Sequence, residues 1–411
     1  MEFQISAKAK KTIFGAIGIG VVAIIIGIMV HSGDEQFKTR IFSNLLIDGL
    51  FFIGISLGAL FFLALQYATE TGWSVAIKRV VEGVASYVIV GIGVLLALFA
   101  ILTFTDGGYT VGEHGHHVGH IYSWMDPAIT SPDGAQYDKI TANKAPFLTK
   151  SFFWTVTVIY FAVYLIFYRG FRKRSLQEDL EGGTKIHFKN FSRAALFLVL
   201  FGYFSSTSSW HWIMSIDAHW FSTLYGWYIF GGMWCTGMTT IMLVILYLKK
   251  LGYLEKVNDS HIHDVGKWIF ATSFLWSYLF FSQFMLYWYA NIPEEVIYFD
   301  FRIENYKFTY WAMYMVNFII PMVILMSREA KRNVGILSVV CVIILLGHWT
   351  DVYMLVTPGT MGEYGCIGFI EVGFLLLFAG IFTYFVLNTL TKAPLMPKNH
   401  PYLDESKHHE I

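Results

Sequence analysis

Cysteine is scarce: 411 residues hold three, Cys235, Cys341 and Cys366, each in or at the edge of an apolar run. They cannot make a disulfide framework, a CxxC pair or a CxxCH haem-attachment site. Iron–sulfur clusters and c-type haem are therefore expected on other chains, if they take part at all. Charge is scarce as well. Asp, Glu, Lys and Arg make up 14% of the chain, against about a quarter in an ordinary soluble protein. So few charges cannot cover a globule with polar surface, which excludes a conventional soluble enzyme and a disordered chain. The 29 cations and 29 anions cancel, leaving no basic field to draw in a nucleic-acid backbone, so no nucleic-acid partner is expected.

What is abundant is apolar and aromatic. Hydrophobic residues reach 55% and aromatics 18%, with 13 Trp, 24 Tyr and 37 Phe, and mean hydropathy is +0.53. A helix crosses a hydrocarbon core of about 30 Å with about 20 apolar residues. Ten stretches meet that length, at roughly 12 to 30, 42 to 66, 84 to 104, 150 to 168, 194 to 213, 222 to 247, 266 to 289, 308 to 326, 334 to 356 and 366 to 389. Backbone groups in lipid must pair within the segment, so these are helices. The sequence thus predicts an all-α polytopic membrane protein with ten transmembrane helices in a single membrane domain. The first run follows Lys8, Lys10 and Lys11, but its apolar stretch outlasts a cleavable signal core of about 7–15 residues, so it reads as a retained span.

Ten crossings sort the connections onto two sides, and 22 of the 29 Lys and Arg fall on one of them with 7 on the other. Cytoplasmic connections carry the excess, which places both termini in the cytoplasm of a cell whose inner membrane holds the chain. The longest outward connection, 105 to 149, contains His114, His116, His117 and His120. These spacings could gather on Zn²⁺, but without a Cys or a well-placed acid nearby they read as an ordinary polar loop. A second outward connection, 290 to 307, reads as a cap or docking surface. The basic connection 169 to 193 reads as an inner loop against anionic lipid, and the tail 392 to 411 as an extended cytoplasmic segment along a partner.

Ionisable groups inside spans are costly and mark candidate sites. Seven stand out: Asp48, His211, Asp217, His219, His348, Asp351 and Glu371, all toward the outward half. Such an arrangement exchanges protons with one face, as oxidation of a quinol requires. Around the turn between the fifth and sixth spans, His211, Asp217 and His219 supply bases and a carboxylate, and Trp210, Trp212 and Trp220 supply flat walls for a ring-shaped ligand. The alternative is an interfacial aromatic belt whose histidines bond backbone carbonyls. His348 and Asp351, at i and i+3, share a helix face where a carboxylate can orient an imidazole. Asp48 and Glu371 are stations for proton transfer or are paired with polar groups of neighbouring spans. A b-haem pair needs facing histidines at matched depth, and only His348 is deep enough, so b-haem is not expected.

The block Trp210-His211-Trp212-Ile213-Met214-Ser215-Ile216-Asp217-Ala218-His219-Trp220-Phe221-Ser222-Thr223, continuing through Gly226 to Tyr228, resembles a signature of ActF, the second NrfD/PsrC-like quinol:cytochrome c oxidoreductase membrane subunit of alternative complex III. Gly266-Lys267 and the run from Phe281 through Trp288-Tyr289-Ala290-Asn291-Ile292-Pro293-Glu294-Glu295 are similar to a second motif of that family. Together the two cover about 45 residues. The resemblance implies two four-helix bundles, within 42 to 213 and 222 to 356, with the first and tenth helices outside them. It also implies a respiratory assembly that oxidises menaquinol and passes electrons through a partner's iron–sulfur clusters to c-type haems, then to a cytochrome c or a terminal oxidase. Implied partners are the sister NrfD-like subunit ActC, which in the family is the better-supported quinol site, an iron–sulfur subunit, c-type haem subunits, small membrane subunits and lipid. The motif positions carried over are His211, Asp217, His219, Ser282, Gln283, Tyr289, Asn291, Glu294 and Glu295. The implied roles are menaquinol binding and oxidation with periplasmic proton transfer or, alternatively, those of a proton-conducting or structural subunit without its own quinone site.

Overall fold

In the computed structural model, residues 3–105, 110–111, 117–118, 120–134 and 136–410 are described. Ten long helical segments run through them: α1 (Ala7–His31), α2 (Phe37–Ala68), α3 (Trp73–Phe104), α4 (Lys150–Glu181), α5 (Lys185–Trp212), α6 (Tyr225–Lys250), α7 (Asp259–Ala290), α8 (Lys307–Leu325), α9 (Val334–Met361) and α10 (Phe369–Leu390). Among the described residues, nine of these are long and apolar enough to cross a membrane, and the chain is a multi-pass membrane protein. The segment that falls short is α5, 28 residues long, which begins with Lys185, Lys189 and Arg193 and runs Ser-Ser-Thr-Ser-Ser at 205 to 209. Among the described residues the only strand pairing is two residues long, Thr110–Val111 with His117–Val118.

Local sequence sets the ends. Ser6, Thr149 and Asn333 accept from backbone N–H groups of the first turns of α1, α4 and α9, and Asn258 and His261 form a reciprocal cap at α7. In α8 a π turn covers Met315–Ile319. Pro321 lacks an N–H and its ring presses on the carbonyl four residues earlier, at Asn317, which accounts for the widened turn.

α2, α3, α4 and α5 close one ring of four helices and α6, α7, α8 and α9 a second, while α1 and α10 pack as a pair outside them, α10 resting on α2. The bundles meet along α2 and α6, with α5 and α9 beside the seam. That contact is close because it is glycine on glycine. A Cβ on Gly58 would lie 1.9 Å from the Met233 carbonyl oxygen, and one on Gly237 would lie 2.8 Å from the Ala59 nitrogen. Small residues at such crossings let helix backbones gain dispersion contact where lipid offers no hydrophobic drive. As a result α2 is the centre of the molecule, with 89% of its apolar window buried against 17% for α1.

The two ends of the molecule differ. Phe3 packs edge-on against Tyr253, and the tail reaches Trp73, Asp179 and Asp264, so both termini sit at one end, here the terminal end. The other, the loop end, carries the described residues between 120 and 149, the turn 213 to 224 and a helix at Pro293–Asn305. Two expectations change at the terminal end. Residues 169 to 193 are not a loop: α4 runs on to Glu181 and α5 starts at Lys185, with Gly182 and Gly183 turning between them at φ +66° and +73°. Apolar content ends where the charges begin, but the helix continues because those charges are paired within the protein. Arg79 and Arg172 meet Glu82, Lys78 meets Glu178 at 2.8 Å, and Ser175 Oγ donates to Glu82 at 2.5 Å. The tail likewise is not extended along a partner. It folds back on the chain, with a short helix at Leu403–Lys407, Ser406 Oγ donating to the Trp73 carbonyl (2.7 Å) and His409 Nε2 at 2.7 Å from Asp264.

Candidate functional site

Where the bundles meet, in the half nearer the loop end, a cleft holds roughly 620 Å³ of empty space. α2 contributes Leu50, Phe51, Gly54 and Leu57; α5 contributes Ser208, Ser209 and Trp212; α6 contributes Ile229, Gly232 and Thr236; α9 contributes His348, Asp351 and Leu355. Apolar walls with a few converging polar groups are the general character of a small-molecule site. Gly232 keeps the polar corner open: a Cβ there would stand 3.6 Å from His348 Nδ1 and 3.8 Å from Asp351 Oδ2.

Asp351 is anchored. Tyr228 Oη donates to its Oδ1 through a short contact and Trp276 Nε1 to its Oδ2 at 2.9 Å, so both carboxylate oxygens have partners. His348, three residues earlier, is 2% exposed, and its Nδ1 lies 3.8 Å from Asp351 Oδ2. That spacing puts them on one face as the sequence implies, but it exceeds hydrogen-bond length. Neither imidazole nitrogen has a hydrogen-bond partner. A buried imidazole with both nitrogens open, beside a cleft, is available to exchange a proton with whatever enters. The next residue, Trp349, donates from Nε1 to Asp48 Oδ1 at 2.9 Å while Oδ2 stays open, and neither of the two lines the cleft.

The turn 213 to 224 forms a separate arrangement above the cleft. His211 is buried, with Nδ1 2.8 Å from the Thr207 carbonyl and its ring 4.2 Å from Phe147, and it does not line the cleft. This is the carbonyl-bonded histidine of the aromatic-belt alternative. Asp217 Oδ2 accepts from Arg302 Nη2 at 2.8 Å. Arg302 lies 3.4 Å over the Tyr298 ring, and Tyr298 stacks on Trp220 at 3.8 Å and 12°. Asp217 therefore pins the helix Pro293–Asn305 as a cap, with Trp220 inside the stack. His219 is half exposed, with Nε2 2.6 Å from Asp138 Oδ2. Burial raises the Asp138 carboxyl, but hydrogen bonds from Thr141, His219 and the Ile140 N–H outweigh it and hold the group below its ordinary value. Trp210 is partly buried, whereas Trp212 both lines the cleft and donates to Thr157 at 3.0 Å. The three tryptophans thus do not form one pocket.

Glu371 is paired. Arg40 Nε and Nη2 reach its two oxygens at 2.8 and 2.7 Å, Asn44 donates at 3.0 Å and the Gly368 N–H at 2.8 Å. The Arg40 and Asn44 contacts fasten α10 to α2, and the Gly368 contact caps the first turn of α10. Of the second motif, Gln283 is buried, Tyr289 is 83% exposed and Asn291 ends α7 in the left-handed region at φ +47°. Pro293, Glu294 and Glu295 then start the capping helix, with Pro and acids in its first turn. Of the His-rich stretch, His114 and His116 lie outside the described residues, and His120 is buried.

Tyr228, Trp276, Trp349, Arg302 and Arg40 hold the acidic groups and were not singled out from sequence. Their partners are 75 or more residues away wherever a carboxylate is involved, so no local spacing signals them. Compared with models of known protein families and with curated proteins, the chain matches none.

Proposed function

We propose that this chain is a membrane subunit of a respiratory quinol:acceptor oxidoreductase of the alternative complex III type, and that the cleft between its bundles takes the quinone ring. The observation that carries this reading is the buried imidazole of His348, whose ring nitrogens make no hydrogen bond, facing an apolar cleft beside Asp351. Oxidation of a quinol releases two protons and two electrons. In its neutral form the imidazole can accept one proton from a ring hydroxyl and the other leaves to water at the loop end, Asp351 and Tyr228 hold the polar corner in place, and the electrons pass to redox centres on partner chains. The walls from Phe51, Leu57 and Trp212 suit a flat apolar ring. The pairing of α1 with α10 outside two rings of four helices agrees with the arrangement the sequence motifs imply. In this reading the loop end faces the periplasm and both termini the cytoplasm of a bacterial inner membrane, and menaquinol is the substrate.

A second reading, proton conduction or scaffolding without a quinone of its own, is favoured by the saturation of Asp351 and by the pairing of Glu371 and Asp217 with arginines. The two separate in the assembled complex. His348→Ala and Gly232→Leu should abolish labelling of α6 and α9 by a photoreactive quinone and reduce quinol turnover, while Asp217→Asn and His219→Ala leave labelling intact. Quinone labelling that persists in Gly232→Leu, or never reaches these helices, removes the quinone site from this chain. Turnover that survives His348→Ala unchanged ends the proposed role of that imidazole.

A further inference from the structure

The terminal end holds a second cluster, far from the cleft. Glu178 near the end of α4, His187 in the first turn of α5 and His400 of the tail bring one ligating atom each within 4.8 Å of one another. All three are buried, at 0%, 2% and 6% exposure. Three polar atoms there lack hydrogen-bond partners: both ring nitrogens of His187 and Glu178 Oε1. Leaving such groups unsatisfied away from water costs about 1–3 kcal/mol each, so a partner is to be expected. Alongside is a cavity of roughly 350 Å³ of empty space, lined by Gln66, Tyr67, Lys78, His187 and His400. The Gln66 Oε1 and Tyr67 hydroxyl are also without partners.

Geometry and donor chemistry agree on what fits. Bonds of about 2.0–2.2 Å to imidazole nitrogen or carboxylate oxygen, arranged tetrahedrally, put the ligating atoms about 3.4 Å apart. Rotation of the imidazoles and the carboxylate covers the remaining distance. Lys78 already holds Glu178 Oε2 at 2.8 Å, which leaves Oε1 for an ion and fixes the carboxylate as an outer-shell partner does. Ligation at either ring nitrogen of His400 displaces one existing contact, the long 3.2 Å hydrogen bond from the Tyr402 N–H to Nδ1.

We infer that Glu178, His187 and His400 form a binding site for a divalent transition-metal ion of the Zn²⁺ class, which fastens the C-terminal tail to the turn between α4 and α5. Two imidazoles and one carboxylate suit Zn²⁺, with a fourth position left for water or the Gln66 carbonyl. The site is structural in effect, because it ties residue 400 to residues 178 and 187 at the end of the molecule where the tail folds back.

The test uses the full chain with any purification tag removed, stripped with a chelator and titrated with Co²⁺. One Co²⁺ per chain should bind, with the visible absorption of tetrahedral N/O coordination, and Zn²⁺ should displace it. His187→Ala, His400→Ala and Glu178→Gln should each weaken binding at least as much as the roughly tenfold to hundredfold lost with an outer-shell partner, and His263→Ala should not. Absence of stoichiometric Co²⁺, or binding that survives both histidine variants, overturns the site. A second measurement does not depend on the buried variants folding. Trypsin cleavage after Lys392 and Lys398 of the unaltered chain should slow by the factor 1 + [Zn²⁺]/Kd, about a hundredfold at 100 times Kd, and His400→Gln should lose that protection. Identical cleavage with chelator and with Zn²⁺ also overturns the proposal.

Discussion

Gly58→Ala adds a single methyl group at the crossing that joins the bundles. Its carbon would stand 1.9 Å from the Met233 carbonyl oxygen and 3.2 Å from the Trp234 Cα, where ordinary contact begins at 3.4 Å. The obstructing atoms are backbone of α6 and cannot rotate away, so the helices must part by about 1.5 Å or α2 must bend. A gap of about 0.5–1 Å already forfeits a quarter to a half of a dispersion well, and overpacking of a close-packed interior costs about 1–3 kcal/mol. The upper end applies here because no side chain can absorb the strain. Gly202→Ala on α5, with nothing within 4 Å of the added carbon, is the matched control. Denaturant or thermal unfolding at fixed scan rate should place Gly58→Ala about 3 kcal/mol below the control. Since Gly54, Leu57 and Met233 line the cleft next to this crossing, binding of a quinone analogue should weaken in the same variant. Stability within about 0.5 kcal/mol of Gly202→Ala, the spread of neutral surface changes, would refute the close-crossing argument.

Other expectations follow from individual contacts. Arg40→Ala strands Glu371 in the interior and should cost about 3–5 kcal/mol, with much of the loss recovered in Arg40→Met/Glu371→Leu; a single variant as stable as the parent would show that the pair carries no structural role. Tyr228→Phe keeps the ring and removes the donor to Asp351, for an expected loss of about 1–3 kcal/mol in unfolding measurements, whereas no loss would mean that the hydroxyl bonds elsewhere. The depressed carboxyl of Asp138 gives the loop end a pH dependence of known sign. Its contribution is fully present above the unfolded value of about 3.9 and is lost as pH falls through the lower folded value. Hydrogen exchange at 136 to 148 should therefore stay slow at neutral pH and quicken only in strong acid, and His219→Ala should move that onset upward. An onset unchanged by the variant would disconnect His219 from the loop.

The spans were legible because lipid imposes one rule along the whole chain: a continuous apolar run with its hydrogen bonds closed inside it. The limits of that rule explain the rest. α4 and α5 continue beyond the apolar runs, where Lys78, Arg79, Arg172 and Glu82 replace lipid contact with ion pairs that hydropathy does not register. His348 and Asp351 were readable as one face from their i,i+3 spacing, and Asp48 as a costly intramembrane acid. The cleft was not readable, since α2, α5, α6 and α9 meet there from four separate parts of the sequence. Grouping His211, Trp210, Trp212 and Trp220 by sequence proximity assigned to one pocket side chains that the end of α5 and the following turn send in different directions. Asp217 looked catalytic in isolation, and only Arg302 in the capping helix reveals its fastening role.

The polar groups of α2 also bear on biogenesis. Arg40, Ser43, Asn44 and Asp48 enter the membrane early, yet they bond Glu371, Thr360 and Trp349, between 301 and 331 positions later in the chain. While the ribosome is still making the middle of the protein, this helix carries a cation, a carboxylate and an amide whose long-range partners do not yet exist. Maturation is thus gated by the arrival of the last two helices. A polypeptide that stops before position 349 has none of these partners and leaves the buried polar groups of α2 unsatisfied.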